Sequence, residues 1–295
     1  MVSAPEFVVV GPATRDLLPA GGWQLGGTVT FAALTASRLG LRAGIVTAAP
    51  PDVLAALAAA VPGVALAAIP SVDATTFENR YNATGQREQY LRGRATPLDV
   101  AAIPPDWRAA PLVLLAPLAQ DVDGSVAAAF PDACLAATPQ GWLRQWDDSG
   151  RVRAGTWEGA DQVLLHLTAL ILSWEDLVAP AAAASARARQ RAERQLAEWA
   201  RHVPQLVVTQ GAGGADLLTT GGERERFPAY TVRPVDPTGA GDVFAAAYLC
   251  QLHRTGDPRR AMEYANCAAS FAIEREGTAG IPTPAEIARR LRSAT

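Results

Sequence analysis

The most informative feature of this 295-residue sequence is a residue type it lacks: all 26 of its basic side chains are arginine and none is lysine. Without lysine there is no Walker A phosphate loop, no strand lysine of a protein kinase, and no Schiff base to pyridoxal phosphate or a carbonyl substrate. Cysteine and histidine are scarce as well. Cys134, Cys250 and Cys267 form no C-x-x-C pair, and His166, His202 and His253 form no H-x-x-x-H spacing. Both absences argue against a disulfide framework or a structural zinc site. No run of about 18 apolar residues occurs, and Met1 to Phe7 lacks a basic stretch followed by an apolar one, so a cytoplasmic, unprocessed protein is expected. A net charge of −3, with no basic stripe interleaved with aromatics, gives no attraction to nucleic acid or to an anionic membrane. Small molecules are the expected partners.

What is present describes a globular chain with 49% hydrophobic and 19% charged residues, long enough to bury a large core. Phe7–Val10 reads as a buried strand ending at Gly11-Pro12. Gly26-Gly27 then precedes a helix over Thr28–Leu39, and Gly44–Thr47 reads as the next strand. Asp52–Val61 is an alanine-rich helix, and Thr75–Leu91 alternates around an Asn82–Gly85 turn as a hairpin with one polar face. Further on, short apolar strands at Leu112–Ala116, Cys134–Ala137, Ala169–Ser173 and Leu206–Thr209 alternate with helical or loop segments. Such alternation implies a doubly wound α/β fold, a mainly parallel sheet with helices on both faces. Ala181–His202 is the longest expected helix, with Leu196 and Trp199 as core contacts. A second hairpin spans Ala215–Thr219 and Arg224–Phe227, and helices are expected over Gly241–Leu252, Arg259–Arg275 and Ala285–Arg292. No repeat or linker divides the chain. It reads as one domain, residues 1–295, carrying a small β lid made of approximately 15–24 and 75–91.

The chemistry concentrates at Val235-Asp236-Pro237-Thr238-Gly239-Ala240-Gly241-Asp242-Val243-Phe244. Three successive small residues at a helix start leave the N–H groups of Gly239, Ala240 and Gly241 uncovered, where the helix dipole reinforces their hold on an anion. Asp242, in the first turn beside them, is placed to take a proton from a hydroxyl attacking phosphorus. Taken alone, the same residues also describe an ordinary helix start whose acid complements the dipole.

The longer string D-P-T-G-A-G-D before an apolar helix resembles the second signature of the ribokinase-like (PfkB) carbohydrate kinase family, and the resemblance extends over nearly the whole chain. Gly26-Gly27 is similar to the first signature. Val207-Val208-Thr209-Gln210-Gly211-Ala212-Gly213-Gly214 resembles the nucleotide-side strand and glycine loop, and Ala265-Asn266-Cys267-Ala268-Ala269 with Arg275-Glu276-Gly277-Thr278 resembles the closing helix and loop. The resemblance implies an ATP-dependent kinase that phosphorylates a hydroxyl of a small sugar or polyol. In it Asp242 is the base and Gly239, Ala240 and Gly241 form the anion hole, which does the work of a lysine clamp. Thr209, Gly211 and Asn266 fall where the family contacts the nucleotide, although a backbone-bonded polar role for Asn266 stays open. Ser173-Trp174-Glu175-Asp176 resembles the N-x-x-E motif in an S-x-x-D form, so Asp176 is the implied magnesium residue; it reads equally as part of a helix cap. Asp236 lies where relatives order the loop with a monovalent cation such as K⁺.

On the acceptor side the resemblance implies Asp16, Gly26, Gly27 and Arg144. A carboxylate suits a diol because it only accepts hydrogen bonds. Glu78, Asn79 and Arg80 either line the lid or decorate an exposed strand. Two departures bear on the substrate. Thr30-Phe31 stands where kinases of simple sugars usually have Asn, and Thr138-Pro139-Gln140-Gly141-Trp142-Leu143-Arg144 stands where many have D-x-N-x-x-x-R. Gly-Gly-Thr-Val-Thr-Phe somewhat resembles inositol kinases of the family. A cyclic polyol, a ketose or aldose, and a nucleoside stay open in that order. So does a non-catalytic sugar- or nucleotide-binding sensor with the same fold. A dehydrogenase is disfavoured because no G-x-G-x-x-G follows the first strand. Relatives often dimerise through the lid, so a monomer and a homodimer both remain open.

Overall fold

The computed structural model describes residues 4–81, 87–178 and 185–293. In chain order β1 (Phe7–Val10), β2 (Thr14–Leu17), β3 (Trp23–Gly26) and α1 (Thr28–Arg38) are followed by β4 (Ala43–Ala49), α2 (Pro51–Ala60), β5 (Ala65–Pro70), β6 (Thr75–Tyr81) and β7 (Arg87–Gly93). Next come β8 (Leu112–Leu115), β9 (Cys134–Ala137), β10 (Arg144–Trp146), β11 (Val152–Ala154), α3 (Ala160–Leu164), β12 (Ala169–Ser173) and α4 (Trp174–Leu177). The chain closes with α5 (Ala186–Trp199), β13 (Gln205–Thr209), β14 (Ala215–Thr219), β15 (Arg224–Phe227), α6 (Ala240–Thr255), α7 (Pro258–Ala272) and α8 (Pro284–Ser293).

Nine strands form one sheet in the order β15-β14-β13-β12-β9-β8-β1-β4-β5. All neighbours from β13 to β5 are parallel, and β14 and β15 add an antiparallel edge. The two-residue period of a strand divides the core. Phe7 and Val9 face α1, α2, α6 and α7 together with Ile45, Leu114 and Val207. Val8 and Val10 face the other layer, where Leu196 and Trp199 of α5 meet the stacked rings of Trp142 and Trp157. From β1 the chain first winds outward through β4 and β5, then returns and winds the other way from β8 to β13. The direction of winding therefore reverses between β1 and β8, and at such a point the loops after the strands open a crevice for ligands.

Several elements depart from the sequence expectation, among them the unanticipated β10–β11 hairpin and α3. Ala65–Pro70, too uniformly alanine-rich to show a strand period, nonetheless pairs along its length with β4. The layer opposite α1 and α6 is built partly from short 3-10 segments at Val100–Ala102, Pro105–Ala109 and Gly124–Ala129 rather than long helices. Pro104, Pro105 and Pro111 withhold the N–H groups that a longer helix there would use. The Asn82–Gly85 turn and residues 181–184 of the expected longest helix lie outside the described residues. From Ala186 onward that helix is present, with Leu196 and Trp199 buried.

A four-stranded sheet, β3-β2-β6-β7, stands beside the main one. Its strands cover the segments expected for the lid and extend slightly beyond them. The register Asp16↔Phe77↔Leu91 and Asn79↔Gln89 puts Thr14, Asp16, Phe77, Asn79, Gln89 and Leu91 on one face. On the opposite face Glu78 pairs with Arg80 and Arg92, whose guanidiniums lie 4.8 and 4.7 Å from the centre of the Tyr90 ring. A small apolar cluster of Phe77, Leu118, Ala119, Leu91, Trp146 and Val152 joins the first face to the β10–β11 hairpin. Asp121, buried and bonded to Thr75 Oγ1 at 3.1 Å and to the Leu118 N–H at 2.9 Å, holds the 118–121 turn against β6.

Candidate active site

The residues singled out in the sequence lie on the loops after β12 and β13, on β2, β3 and β10, in α4, at the start of α6 and the loop before it, and, for Asn266, within α7. Gly239, the residue before α6, has φ +76°, a left-handed conformation that an L side chain adopts only with strain. That conformation turns the chain into the helix; the Ala240 N–H bonds back to Pro237 O at 3.3 Å, and the Gly239 and Gly241 amides stand at the helix end, where no preceding helical turn serves them. A Cβ at Gly239 would run into the ring of Phe31, whereas one at Gly241 would meet nothing within 4 Å. The helix ends as cleanly as it begins. Gly256 takes φ +65°, its N–H bonds to Leu252 O, and His253 and Arg254 stand at the negative end of the dipole.

Asp242, in the first turn of α6, is partly exposed, and its pKa is raised to about 6. Desolvation by the surrounding protein is the main cause. A hydrogen bond from Thr28 works against it, the negative charge of Asp176 adds to it, and Arg144 opposes it. The groups that act on Asp242 come from distant parts of the chain: Thr28 from the start of α1, Asp176 from α4 and Arg144 from β10. A carboxylate titrating near neutrality can both accept a proton and release it.

Asp176 is positioned from two sides. Its Oδ2 accepts the Ser173 N–H at 2.9 Å, completing a capping box on α4, and its Oδ1 accepts from Gln140 Nε2 at 3.0 Å. Both sequence readings of Ser173-Trp174-Glu175-Asp176, helix cap and site residue, are thus compatible with one geometry. Gln140 was not anticipated; its signal was an amide at the third position of the altered D-x-N-x-x-x-R stretch, where the pattern has Asn. Arg144 is fixed by a bond from Nη1 to Leu118 O at 3.1 Å, by the Gln120 amide on its own carbonyl at 2.8 Å, and by a cation–π contact 5.2 Å from the Phe77 ring centre.

Asp16 packs against Gly26, where a Cβ would collide with its carboxylate and would come within 2.7 Å of Thr14 Oγ1. Asp16 thus shares its sheet face with Phe77, under Arg144. Gly27, at φ +101°, carries the backbone from this sheet into α1. Thr30 and Phe31, which stand at the departure from the sugar-kinase pattern, are spent on structure. The Thr30 hydroxyl turns back to Gly26 O at 3.5 Å, and Phe31, 6% exposed, lies against Gly239. Of the lid candidates, Glu78 and Arg80 are on the far face, while Asn79 accepts from Gln89 Nε2 at 3.1 Å on the same face as Asp16.

Asp236 is a loop clamp. Burial would raise its pKa, but bonds from the Gly277 N–H at 3.0 Å and from Thr238 at 2.9 Å outweigh burial and hold it below the usual carboxylate range. The N–H groups of Val235 and Asp236 also bond to Ile273 O, so the start of the anion-binding loop is tied to the segment after α7. On the other side Thr209, paired with Ser173 across β13 and β12, donates to Leu172 O at 3.3 Å. Gly211 opens the glycine loop. Asn266 donates to Phe227 O at 3.4 Å, the backbone-bonded role that the sequence left open.

The glycine loop is braced from behind by Asp216, which is 1% exposed and accepts from Gln210 Nε2 at 2.9 Å, from Arg224 Nη2 at 2.7 Å and from Arg226. Arg226 also donates to Gly213 O at 3.3 Å. Burial raises the Asp216 pKa, but the two guanidiniums outweigh it and the net shift is downward. Asp216→Ala is expected to destabilise the protein by about 1–3 kcal/mol, since both arginines keep partial access to water. A depressed carboxylate pKa gives stability that is present above the usual carboxylate range and lost as pH falls through the lowered value. Scanning calorimetry should therefore show the melting gap between native protein and variant closing on acidification.

With this geometry in place, the comparisons with known proteins give it a family. The pfkB carbohydrate kinase family model matches residues 132–285, and the chain belongs to that family. A pyrophosphate-dependent kinase of the ribokinase family, complexed with a pyrophosphate analog and myo-inositol, is similar in fold, with a TM-score of 0.76 and 19% identity over 96% of this chain and 99% of that one. So is Arabidopsis thaliana ribokinase complexed with ribose and ATP, with a TM-score of 0.71 and 17% identity over 98% and 99% of the two chains. In sequence the chain is 37% identical over 83 residues to an ATP-dependent ribose-1-phosphate kinase of Halopiger xanaduensis, a match spanning 28% of each protein. The fold is ribokinase-like: a large, mainly parallel sheet flanked by helices. Among the described residues no helix is long and apolar enough to cross a membrane.

Proposed function

We propose that this protein is an ATP-dependent phosphotransferase acting on a hydroxyl of a small sugar or polyol, and that residues 1–295 form one kinase unit with the β3-β2-β6-β7 sheet as its lid. The observation that carries the reading is Asp242. A carboxylate whose pKa is raised to about 6 stands in the first turn of a helix opened by Gly239, Ala240 and Gly241, where the Ala240 amide is held by Pro237 O at 3.3 Å and those of Gly239 and Gly241 lie at the helix start. In this mechanism Asp242 takes the proton of the acceptor hydroxyl as that oxygen attacks the terminal phosphorus of the donor. The amides at this helix start take up the charge on the transferred phosphoryl group. Thr209, Gly211 and Asn266 border the donor side. The acceptor lies between Asp16, Gly26, Gly27 and Arg144, and closure of the lid keeps water from competing as acceptor.

Magnesium fits this donor set. Asp176 and Asp242 feel each other's charge, and an oxygen-only site with one protein carboxylate suits a cation that keeps its waters and binds phosphate. Asp176 would hold it, and it would neutralise charge on the donor phosphates. Asp236 orders the loop through two backbone N–H groups, and its remaining lone pairs are those that a monovalent cation such as K⁺ would use. The face bearing Asp16, Asn79 and Gln89 favours a neutral, hydroxyl-rich acceptor, because a carboxylate and amides read hydroxyl groups as acceptor and donor.

The test is acceptor-dependent release of product from the donor, with inositols, hexoses, pentoses, pentose phosphates and nucleosides as acceptors. Each is tried with magnesium and either ATP or pyrophosphate, the second donor being included because a fold neighbour uses it. Turnover with a polyol or sugar and ATP is the expected result. Binding of ATP and a polyol without turnover on any acceptor would instead leave a sensor with a kinase fold.

A further inference from the structure

We infer that the β10–β11 hairpin is a strap that fastens the lid on the acceptor side, and that Gly150 and Arg151 at its tip are positioning residues for acceptor binding. The inference rests on the kinase reading above. Asp147-Asp148-Ser149-Gly150-Arg151 is a turn by composition. Asp147 Oδ1 accepts from the N–H groups of Ser149 and Arg151, each at 3.1 Å, and Gly150, at φ +83°, donates back to Asp147 O at 2.7 Å. The turn reaches β7, the strand at the edge of the lid sheet. An edge strand offers unpaired N–H and C=O groups. Here the Leu91 N–H donates to Gly150 O at 2.8 Å, Tyr90 pairs with Arg151 in an antiparallel bridge, and Arg92 Nη1 donates to Ser149 O at 2.8 Å. A Cβ at Gly150 would come within 2.4 Å of Leu91 O, so this approach requires glycine.

The hairpin holds β7 from both faces of the lid. On the outer face Arg151 Nη2 meets Glu88 Oε1 at 2.5 Å. On the inner face, the one that bears Asp16, Trp146 and Val152 pack against Phe77 and Leu91. Trp146 lies two residues after Arg144, on the same side of β10, and Arg144 itself stands over the Phe77 ring. One small element therefore supplies Arg144 to the acceptor side and fixes the lid edge against it. A site held in its binding geometry before the ligand arrives loses less of the interaction energy to ordering, so the strap raises affinity for the acceptor. Thr209 and Asn266, proposed for the donor side, bond instead to Leu172 O and Phe227 O in the β12–β15 part of the main sheet.

Gly150→Ala sets a methyl against Leu91 O on a left-handed backbone and is expected to lift the turn from β7. Acceptor KM should rise about tenfold, with kcat and donor KM within about threefold of native. Amide hydrogen exchange gives a readout independent of turnover. The Leu91 N–H should be protected in the native protein and exchange at least about tenfold faster in the variant. A native acceptor KM, or equal losses for donor and acceptor, overturns the inference, as does a Leu91 amide that exchanges no faster in Gly150→Ala. Should Gly150→Ala fold poorly, the double variant Tyr90→Cys with Arg151→Cys decides the point, because these positions stand directly opposite each other, as a disulfide requires. Its acceptor KM should be raised when reduced and return to within about threefold of native on oxidation. A KM that does not respond to oxidation overturns the inference. A native protein inactive with every donor and acceptor removes the kinase reading, and the exchange of Leu91 still decides whether the hairpin fastens the lid.

Discussion

Asp242→Asn is expected to lower turnover about 10²–10⁴-fold while leaving donor affinity close to native. The amide keeps the size and most of the packing of the carboxylate but cannot accept the proton that leaves the acceptor hydroxyl. The residues proposed for the donor side, Thr209, Gly211 and Asn266, make no contact with it in the hydrogen bonds they form here. Because the Asp242 pKa is raised to about 6, the native enzyme should lose kcat about tenfold per pH unit below that value, as the base becomes protonated. The asparagine variant's residual activity should show no such limb. Steady-state kinetics from pH 5 to 8 measure both effects, and a variant that retains most of its turnover would remove Asp242 from the mechanism.

The same substitution is expected to stabilise the fold, which distinguishes a functional carboxylate from a structural one. A carboxyl group whose pKa is higher in the folded than in the unfolded protein favours folding while protonated, and that advantage is lost as pH rises through the folded value. Above about pH 6 the native protein therefore bears the cost of an ionised Asp242 that is desolvated and close to Asp176. A shift of this size corresponds to at most about 3 kcal/mol, and with Asp242 still meeting solvent roughly 1–2 kcal/mol is expected. Asp242→Asn should melt above the native protein at pH 8, and the two should converge near pH 4. If Asp242 served only to complement the dipole of α6, the sign would be reversed and the variant would melt lower at pH 8.

The parts of this site that local sequence encodes were legible, and the parts made by distant pairs were not. Gly239, Ala240, Gly241 and Asp242 could be read as a helix start because a left-handed glycine, small neighbours and a first-turn acid act within one turn of chain. Fully buried strands such as Phe7–Val10 and Leu112–Leu115 were visible as apolar runs for the same reason. Ala65–Pro70 was not, since alanine suits either state and only pairing with β4 decides it. Gln140 meets Asp176 across 36 residues of sequence, and Thr28 meets Asp242 across most of the chain. Nothing local to a threonine after two glycines announces such a partner. Thr30-Phe31 was visible as a departure from the expected Asn, but the packing of Phe31 required the position of Gly239.

Gly239→Ala and Gly241→Ala, two substitutions of the same size two residues apart, are expected to fail in different ways. At Gly239 the new methyl would enter the Phe31 ring and the backbone would be held at φ +76°. Overpacking costs roughly 1–3 kcal/mol and a left-handed alanine about 1–2 kcal/mol more. The loop relieves this by moving, so Gly239→Ala should melt several degrees lower and lose at least about 10²-fold in kcat. At Gly241 the backbone is helical and a methyl meets no protein atom within 4 Å, so melting should stay at the native value or rise slightly, as alanine is the better helix former. Activity should still fall about 10²-fold or more if, as proposed, the open space that the methyl enters receives the transferred phosphoryl group. Phe31→Leu added to Gly239→Ala should recover part of the melting temperature and little of the turnover, because the smaller side chain removes the collision but not the strained backbone. Differential scanning calorimetry with parallel kinetics separates the outcomes. A Gly241→Ala protein that remained fully active would show that the phosphoryl group lies elsewhere, and a Gly239→Ala protein as stable as native would show that the packing of α1 against this loop is looser than the structure has it.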